Sequence, residues 1–527
     1  MINAVVIASS YTVVSNVVQE GGARRTGGRP ALVGLPARHT GALVVTCAFV
    51  ASRVAIHLAG VRFDTRPMNY AGQVLSRVHL TNDLIETLTH LHSQPPLFNL
   101  FLGVGLRAPR SWENEVFHFS YLAFGLALAL CFHAVLRRLG VGPKVAVALT
   151  LAFMLSPSVF LYENYLLYDY PVALLLCVAL LALQRYEEGH RVRDVALFFA
   201  ALTALVLTRS MFHLLWLVAW VAVLVLHRRH ADWKQVVALA AVPLVAVVAV
   251  HANNRRVSGS FTSSSTLGIS LAKITVSQLT RAEREALVAR GELSPLALVD
   301  PLSPVAAYRG VVPPPPPTGV AVLDDEVKPE YANPPTEDLF RPNDNNSTYI
   351  AVSNGYLEDA LKTIRMRPGA YLQGIGTAYN LFFRPASDFA PLGDNRDRVA
   401  WLERLYNVGV YGVVSGGEGS RVFPVAETHY RQGPGRTAWL VVFGYAVALV
   451  GGAWALWQGR RRGEGPPPLV LAFLWSTIAY VTVVANVIEV GENNRFRLYT
   501  EPLVIALLAA LVGRRHRSSR TAQLTGD

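Results

Sequence analysis

Acids, amides, histidines and arginines fall in compact groups at the ends of long apolar runs. VRFDTRPMNY carries Asp64, and HLHSQPPLFNLFLG carries His92 and Gln94 just before Pro95 and Pro96. SPSVFLYENYLLYDYP carries Glu163 and Asp169, and LVLTRSMFHLLW carries Arg209 with His213 one turn on. VIEVGENNRFRLYTEPLV sets Arg495 and Arg497 among Glu489, Glu492 and Glu501. A carboxylate held near a membrane boundary can take a proton from an acceptor hydroxyl. A guanidinium matches phosphate oxygens in a bidentate way. His92 and Gln94 are suited to hydrogen-bonding a polar ligand. These are the parts of a transfer reaction in which an acid activates an acceptor and arginines hold a phosphate.

Each group also has a plainer explanation. Asp64 can be a solvated anchor, and Asp169, ahead of Tyr170 and Pro171, can cap a helix. Arg209 can snorkel to lipid headgroups. Arg495 and Arg497 can be paired by the neighbouring glutamates. Arg53 and His57, one turn apart within the first apolar run, read best as pairing between helices. The Ser, Thr, Gly and Asn residues of HANNRRVSGSFTSSSTLGISLAK, after the seventh run, suit a sugar or phosphate ligand and equally a linker.

The elements that must position these residues follow from composition. The chain of 527 residues carries a formal charge of +12, is 52% hydrophobic and only 16% charged, whereas soluble domains carry about 25% charged residues. Ten apolar runs approach the length of a span: about 40 to 61, 116 to 136, 144 to 162, 171 to 184, 194 to 208, 211 to 227, 235 to 252, 437 to 458, 467 to 488 and 498 to 512. The fold class expected is an all-α polytopic membrane protein of about ten transmembrane helices. Arginines and lysines gather in alternate connections, and 20 of the 48 basic residues lie there. The rule that cytoplasmic loops are basic then places both termini inside. Topology accounts for the charge without a nucleic-acid partner, and a multi-pass plasma-membrane location is expected. The first 20 residues lack a basic stretch and do not read as a signal peptide.

The expected domains are an N-terminal tail (1–39), a transmembrane module (40–252) with a first outer loop (62–115), a long extracytoplasmic region of mixed structure (253–436), C-terminal spans (437–512) and a cytoplasmic tail (513–527). The first outer loop should hold two short helices. The proline run from Val311 to Gly319 must be extended, and 371–383 is apolar enough to lie at the interface. Cys47, Cys131 and Cys177 each fall in an apolar run, so neither a disulfide framework nor a zinc site is expected.

In order and sidedness, these groups resemble the GT-C superfamily of integral membrane glycosyltransferases, in particular the protein O-mannosyltransferase and lipid A aminoarabinose transferase branch. Asp64 with Gln94-Pro95-Pro96 is similar to the acid and Pro-Pro motif of that branch's first outer loop. Asp169-Tyr170-Pro171 looks like its loop acid, Arg209 in LTRS its basic residue after a Leu-Thr pair, and Arg495-Phe496-Arg497 its basic motif before the last span. The resemblance covers roughly residues 40 to 260 and, more weakly, the C-terminal spans.

It implies transfer of a sugar from a polyprenyl-phosphate donor to a lipid, glycan or protein acceptor at the outer face of the bilayer, with inversion. Asp64, favoured over Asp83 because it lies nearer the first span, would be the general base. His92, Gln94, Glu163, Asp169, Arg209, Arg495 and Arg497 would bind substrate. Many superfamily members carry an acidic pair in the first loop, but Asp64 is followed by Thr65 and Arg66, so a divalent metal is not indicated and no cofactor is implied. The alternatives are a transporter or flippase of lipid-linked sugars, which should show related halves and midplane charges, and a non-catalytic scaffold.

Overall fold

The structure, a computed structural model, describes residues 37–227, 233–331, 342–413, 437–462 and 468–524. The chain divides into Met1–Thr40, of which only the start of a helix is described, and Gly41–Asp527, which holds the rest of the described residues. The N-terminal segment read from sequence as a tail therefore lies almost wholly outside the described residues. The protein is three quarters helical, and among the described residues extended pairing is confined to isolated bridges such as Asp64 with Tyr165.

All ten apolar runs are helical, but only seven helices among the described residues are long and apolar enough to cross a bilayer. These are Thr40–Leu58, Arg110–Arg138, Asp169–Gly189, Trp233–Ser258, Trp439–Gly459, Pro468–Val487 and Asn493–Gly513. The run at 144–162 is two helices, Pro143–Met154 and Pro157–Glu163, bent by 60° at their break. Pro157 cannot donate to the preceding turn, and the Ser156 side chain accepts from the amide of Val159 to start the second helix. Val192–Thr208 and Leu214–His227, at 17 and 14 residues, are about 25 and 21 Å long against a hydrocarbon core of about 30 Å. By length the count is seven, or up to eight with the bent pair. The last helix continues to Leu524, past the end of its apolar run.

Asp169–Gly189 is central and packs against Glu113–Arg138, Val192–Thr208 and Asn493–Leu524. It is apolar on nearly every side because it meets helices on nearly every side. A buried ion pair pins the first span to the bent pair: Arg53 donates from Nε and Nη2 to the two Glu163 oxygens, both at 2.8 Å, and the Tyr170 hydroxyl donates to Oε2 at 2.6 Å. The guanidinium also lies 4.0 Å from the Phe49 ring centre. Gly125 permits this approach, since a Cβ there would come 2.3 Å from Glu163 Oε2.

The first loop holds four short helices where two were expected, Pro67–Tyr70, Arg77–Asn82, Leu84–Thr89 and Leu97–Gly105. Asp83, the less favoured base candidate, caps the third by accepting from the amide of Glu86 at 2.9 Å. The long region folds on a core of its own, in which Ile269, Leu287 and Val352 pack with Tyr308, Tyr349 and Tyr356. Its proline run is non-helical. Pro368–Phe382, covering most of the stretch expected at the interface, packs on the helices Pro468–Val487 and Asn493–Leu524.

Removing one partner of a buried pair leaves an unpaired charge, which costs about 3–5 kcal/mol, whereas replacing both by apolar groups of similar size costs far less. Arg53→Met alone should therefore lower the thermal midpoint of purified protein clearly, and the double change Arg53→Met with Glu163→Met should recover most of the loss.

Candidate functional site

A cavity of about 740 Å³ opens where the central helix and the last helix begin and Val192–Thr208 ends. Its walls come from the first loop (Arg66 to Gln73, Ser93, Gln94), the turn at Arg209, the long region (Thr266, Lys273, Asp344, Phe389) and the approach to the last span (Glu489 to Phe496). Two helix N-termini at this end add positive potential.

Four cations and four carboxylates line it: Arg66, Arg209, Lys273 and Arg495 against Asp344, Asp394, Glu489 and Glu492. Three pairs form. Arg66 meets Asp394 at 2.8 Å, Lys273 pairs with Glu489, and Arg495 meets Glu492 at 2.7 Å. Among the described residues no ion pair reaches the remaining two, Arg209 and Asp344.

Arg209 is buried, and its Nε has no hydrogen-bond partner among the described residues. Its guanidinium lies 4.8 Å from the ring centres of both Tyr168 and Phe496, and Nη1 donates to the Tyr168 hydroxyl. Arg495 shares that hydroxyl through Nη2 at 3.3 Å and lies 5.3 Å from the Phe389 ring centre. Burial pulls the Arg209 guanidinium below its usual range, with the nearby Arg495 charge adding to the effect. Two guanidinium groups share one hydroxyl inside an aromatic frame; both carboxylates that pair here, Glu492 and Asp169, are on Arg495, and among the described residues none pairs with Arg209.

The other expected residues fall in different places. Gln94 lines the cavity, and its Oε1 has no partner among the described residues. Asp169 sits behind the arginines, ion-paired with Arg495 at 3.4 Å and accepting from the Tyr499 hydroxyl at 2.5 Å; it orients Arg495 and makes no side-chain cap. Arg497, two residues from Arg495 on the same helix, points away from it and is taken by Glu501 at 2.9 Å and the Arg384 carbonyl at 3.0 Å. Glu163 is taken by Arg53 and lies outside the lining. The Asp64 carboxylate accepts from Arg66 Nε at 2.9 Å, Nη2 at 2.8 Å and the Arg66 amide at 2.9 Å; Arg66, not Asp64, reaches the cavity. That contact holds the guanidinium well above its ordinary range.

His92 is fully buried and shapes the wall from behind. Nδ1 lies 2.7 Å from Ser265 Oγ and Nε2 lies 2.9 Å from the Asn345 carbonyl. A carbonyl only accepts, so Nε2 carries the proton and Nδ1 accepts from Ser265. Burial pushes the imidazole down to about 4.

Sequence reasoning missed Lys273, Asp344 and the Tyr70–Tyr165 hydroxyl pair at 2.8 Å, all within the lining. The one available signal was Pro342-Asn343-Asp344-Asn345-Asn346, an acid amid turn-forming amides. Among the described residues no group of three or more His, Cys, Asp or Glu could hold a metal ion. Comparison with protein-family models, with curated proteins and with solved structures finds no match.

The folded state keeps His92 neutral down to about pH 4, whereas the unfolded chain takes up a proton near pH 6.5. Its contribution is full above pH 6.5 and is lost as the pH falls from there towards 4. Between pH 7 and pH 5 the wild-type chain should lose about 2 kcal/mol from this group. His92→Gln should show a correspondingly shallower fall of thermal midpoint with acidification.

Proposed function

We propose that the protein is a membrane glycosyltransferase that moves a sugar from a polyprenyl-phosphate donor to an acceptor hydroxyl at the outer face of the bilayer, with inversion. The observation that carries this reading is Arg209, a buried, cavity-lining cation with no carboxylate partner among the described residues, sharing the Tyr168 hydroxyl with Arg495. A phosphodiester would give Arg209 the direct anionic partner it lacks, and its polyprenyl tail suits a cavity at the ends of apolar helices.

In the step proposed, the acceptor oxygen attacks the anomeric carbon from the face opposite the phosphate. The bond from that carbon to the phosphate oxygen breaks, and its electron pair stays on the phosphate, which leaves as polyprenyl phosphate. The acceptor proton passes to a carboxylate. Negative charge grows on the phosphate as the bond breaks, so Arg209 and Arg495 stabilise the transition state more than the bound donor. Gln94 and the tyrosine pair supply hydrogen bonds to the sugar. Asp64 serves as proton acceptor in this scheme only if Arg66 releases it, for instance to a donor phosphate at the rim. The polar groups gather at one end of the helices, which favours chemistry there over passage across the bilayer.

The test is incubation of purified protein in lipid with undecaprenyl-phosphate hexoses and pentoses labelled in the sugar, scoring transfer and hydrolysis. Turnover of at least one donor is expected, and none from well-folded protein overturns the reading. With an active donor, Arg209→Ala should lower kcat/KM by about 10²- to 10³-fold, equivalent to about 3–4 kcal/mol. Arg209→Lys should recover little, because an ammonium lacks the planar fork.

A further inference from the structure

The cavity holds one carboxylate, Asp344, that no ion pair reaches among the described residues, although the Lys273 and Lys328 charges act on it from further off. Resting on the glycosyl-transfer reading, we infer that Asp344 is the general base that takes the proton from the acceptor hydroxyl. Of the four carboxylates in the lining, Asp394, Glu489 and Glu492 are each ion-paired with a cation, Arg66 and Arg495 serving a second carboxylate as well. Asp64, beside the cavity, is chelated by Arg66 through four contacts. Among the described residues no hydrogen-bond donor and no ion-pairing cation reaches the Asp344 side chain. A base must have a free lone pair facing the proton it removes, and among the described residues Asp344 is the acid of this lining with neither oxygen in an ion pair or a hydrogen bond.

The carboxylate is held in position from both sides. Asn343 donates to the carbonyls of Val322 at 3.0 Å and Asp325 at 2.9 Å. Asn345 accepts from the amides of His92 at 2.9 Å and Ser93 at 3.1 Å and donates to the His90 carbonyl at 3.0 Å. Asn346 donates to the carbonyls of Asp324 and Asp325, both at 3.1 Å. Three amides fix the backbone on either side of an acid that itself makes no bond, which is how a preorganised catalytic group is carried. Opposite it the chain has Gly72, where a Cβ would come 1.6 Å from Oδ2. Any larger residue there would displace the carboxylate.

Charge and environment are consistent with this role. Burial pushes the Asp344 carboxyl up, against the opposing pull of the Lys328 and Lys273 charges. A raised carboxyl is a stronger base than a solvated aspartate. Ser93, Thr266, Ser270 and Tyr349 stand in the same lining. With every other acid there ion-paired, the acceptor that fits is an uncharged polyhydroxy compound, a sugar hydroxyl rather than an amine or a carboxylate.

The experiment compares wild type, Asp344→Asn, Asp344→Ala and Asp64→Asn, using the donor that the labelled panel shows to be turned over. Elution as a single species and unchanged binding of undecaprenyl phosphate establish that each variant is folded. Asp344→Asn should lose at least about 100-fold in kcat with donor KM within about threefold of wild type. Added formate should restore part of the rate to Asp344→Ala and none to Asp344→Asn. Transfer by Asp344→Asn within about threefold of wild type, with wild type active, overturns the assignment and leaves the glycosyl-transfer reading standing. So does a loss confined to Asp64→Asn, which makes that residue the base. Wild type that turns over no donor overturns both.

Discussion

A charge removed from water must meet an opposite charge or a set of hydrogen bonds, and the architecture of this chain follows from how its buried ions comply. Arg53 finds Glu163, Asp169 finds Arg495 and Tyr499, Arg497 finds Glu501 and the Arg384 carbonyl, and Arg396 finds Asp388 and Glu403. Several of these contacts tie together segments far apart in sequence: the first span to the bent pair, the central helix to the last, the long region to the last. Desolvation offsets much of the Coulomb gain in such pairs, so their effect is chiefly to exclude other arrangements of apolar helices that would otherwise pack about equally well. Where lipid is as apolar as the helices, that selectivity is needed.

The same rule shapes the cavity wall. Tyr168 occupies the turn just before the central helix, and its hydroxyl draws two guanidinium groups together while the rings of Tyr168, Phe389 and Phe496 surround them. Asp169, one residue on, holds Arg495 from behind. The dipeptide at a helix start therefore sets both the position and part of the charge of the arginine pair. His92 does comparable work on the other wall, where its ring joins the first loop to Ser265 and Asn345.

Much of the fold was legible because apolar runs and helices obey the same periodicity: all ten runs are helical, and Arg53 pairs between helices as its depth in a run demanded. Length was less legible, since a run such as 144–162 conceals the break that Ser156 and Pro157 impose, and seven helices satisfy the length of a span rather than ten. Within the site, Arg209, Arg495 and Gln94 were readable because each is a polar residue where an apolar or structural one would serve. Glu163 and Arg497 looked equivalent to them by type and position. What separates Glu163 is a partner more than a hundred residues away in sequence, Arg53, of which local sequence carries no trace; Arg497 is taken by Glu501 four residues on, as its neighbouring glutamates allowed, and by the distant Arg384 carbonyl. Asp344 was hidden for the converse reason. It lies in a stretch whose Pro, Asn and Asp content reads as linker, and only tertiary contacts reveal that its three neighbouring asparagines are all bonded.

Unsatisfied buried groups are rare in folded proteins, and those that persist mark places where function has overridden local stability. In this cavity they include the Nε of Arg209, a cation in an aromatic frame, and the same lining carries an anion on a rigid loop, Asp344, that no ion pair reaches among the described residues. Arg209 is held by Tyr168 and Phe496 on helix ends, and the backbone around Asp344 by Asn343, Asn345 and Asn346 on the long region, and among the described residues no ion pair joins the two. In the transfer proposed, the arginine pair would meet the negative charge that grows as one bond breaks, and the carboxylate would receive the proton released as the other forms. The net charge of the cavity is the same before and after, so the low-dielectric surroundings that make each isolated ion costly strengthen both interactions without penalising the step as a whole.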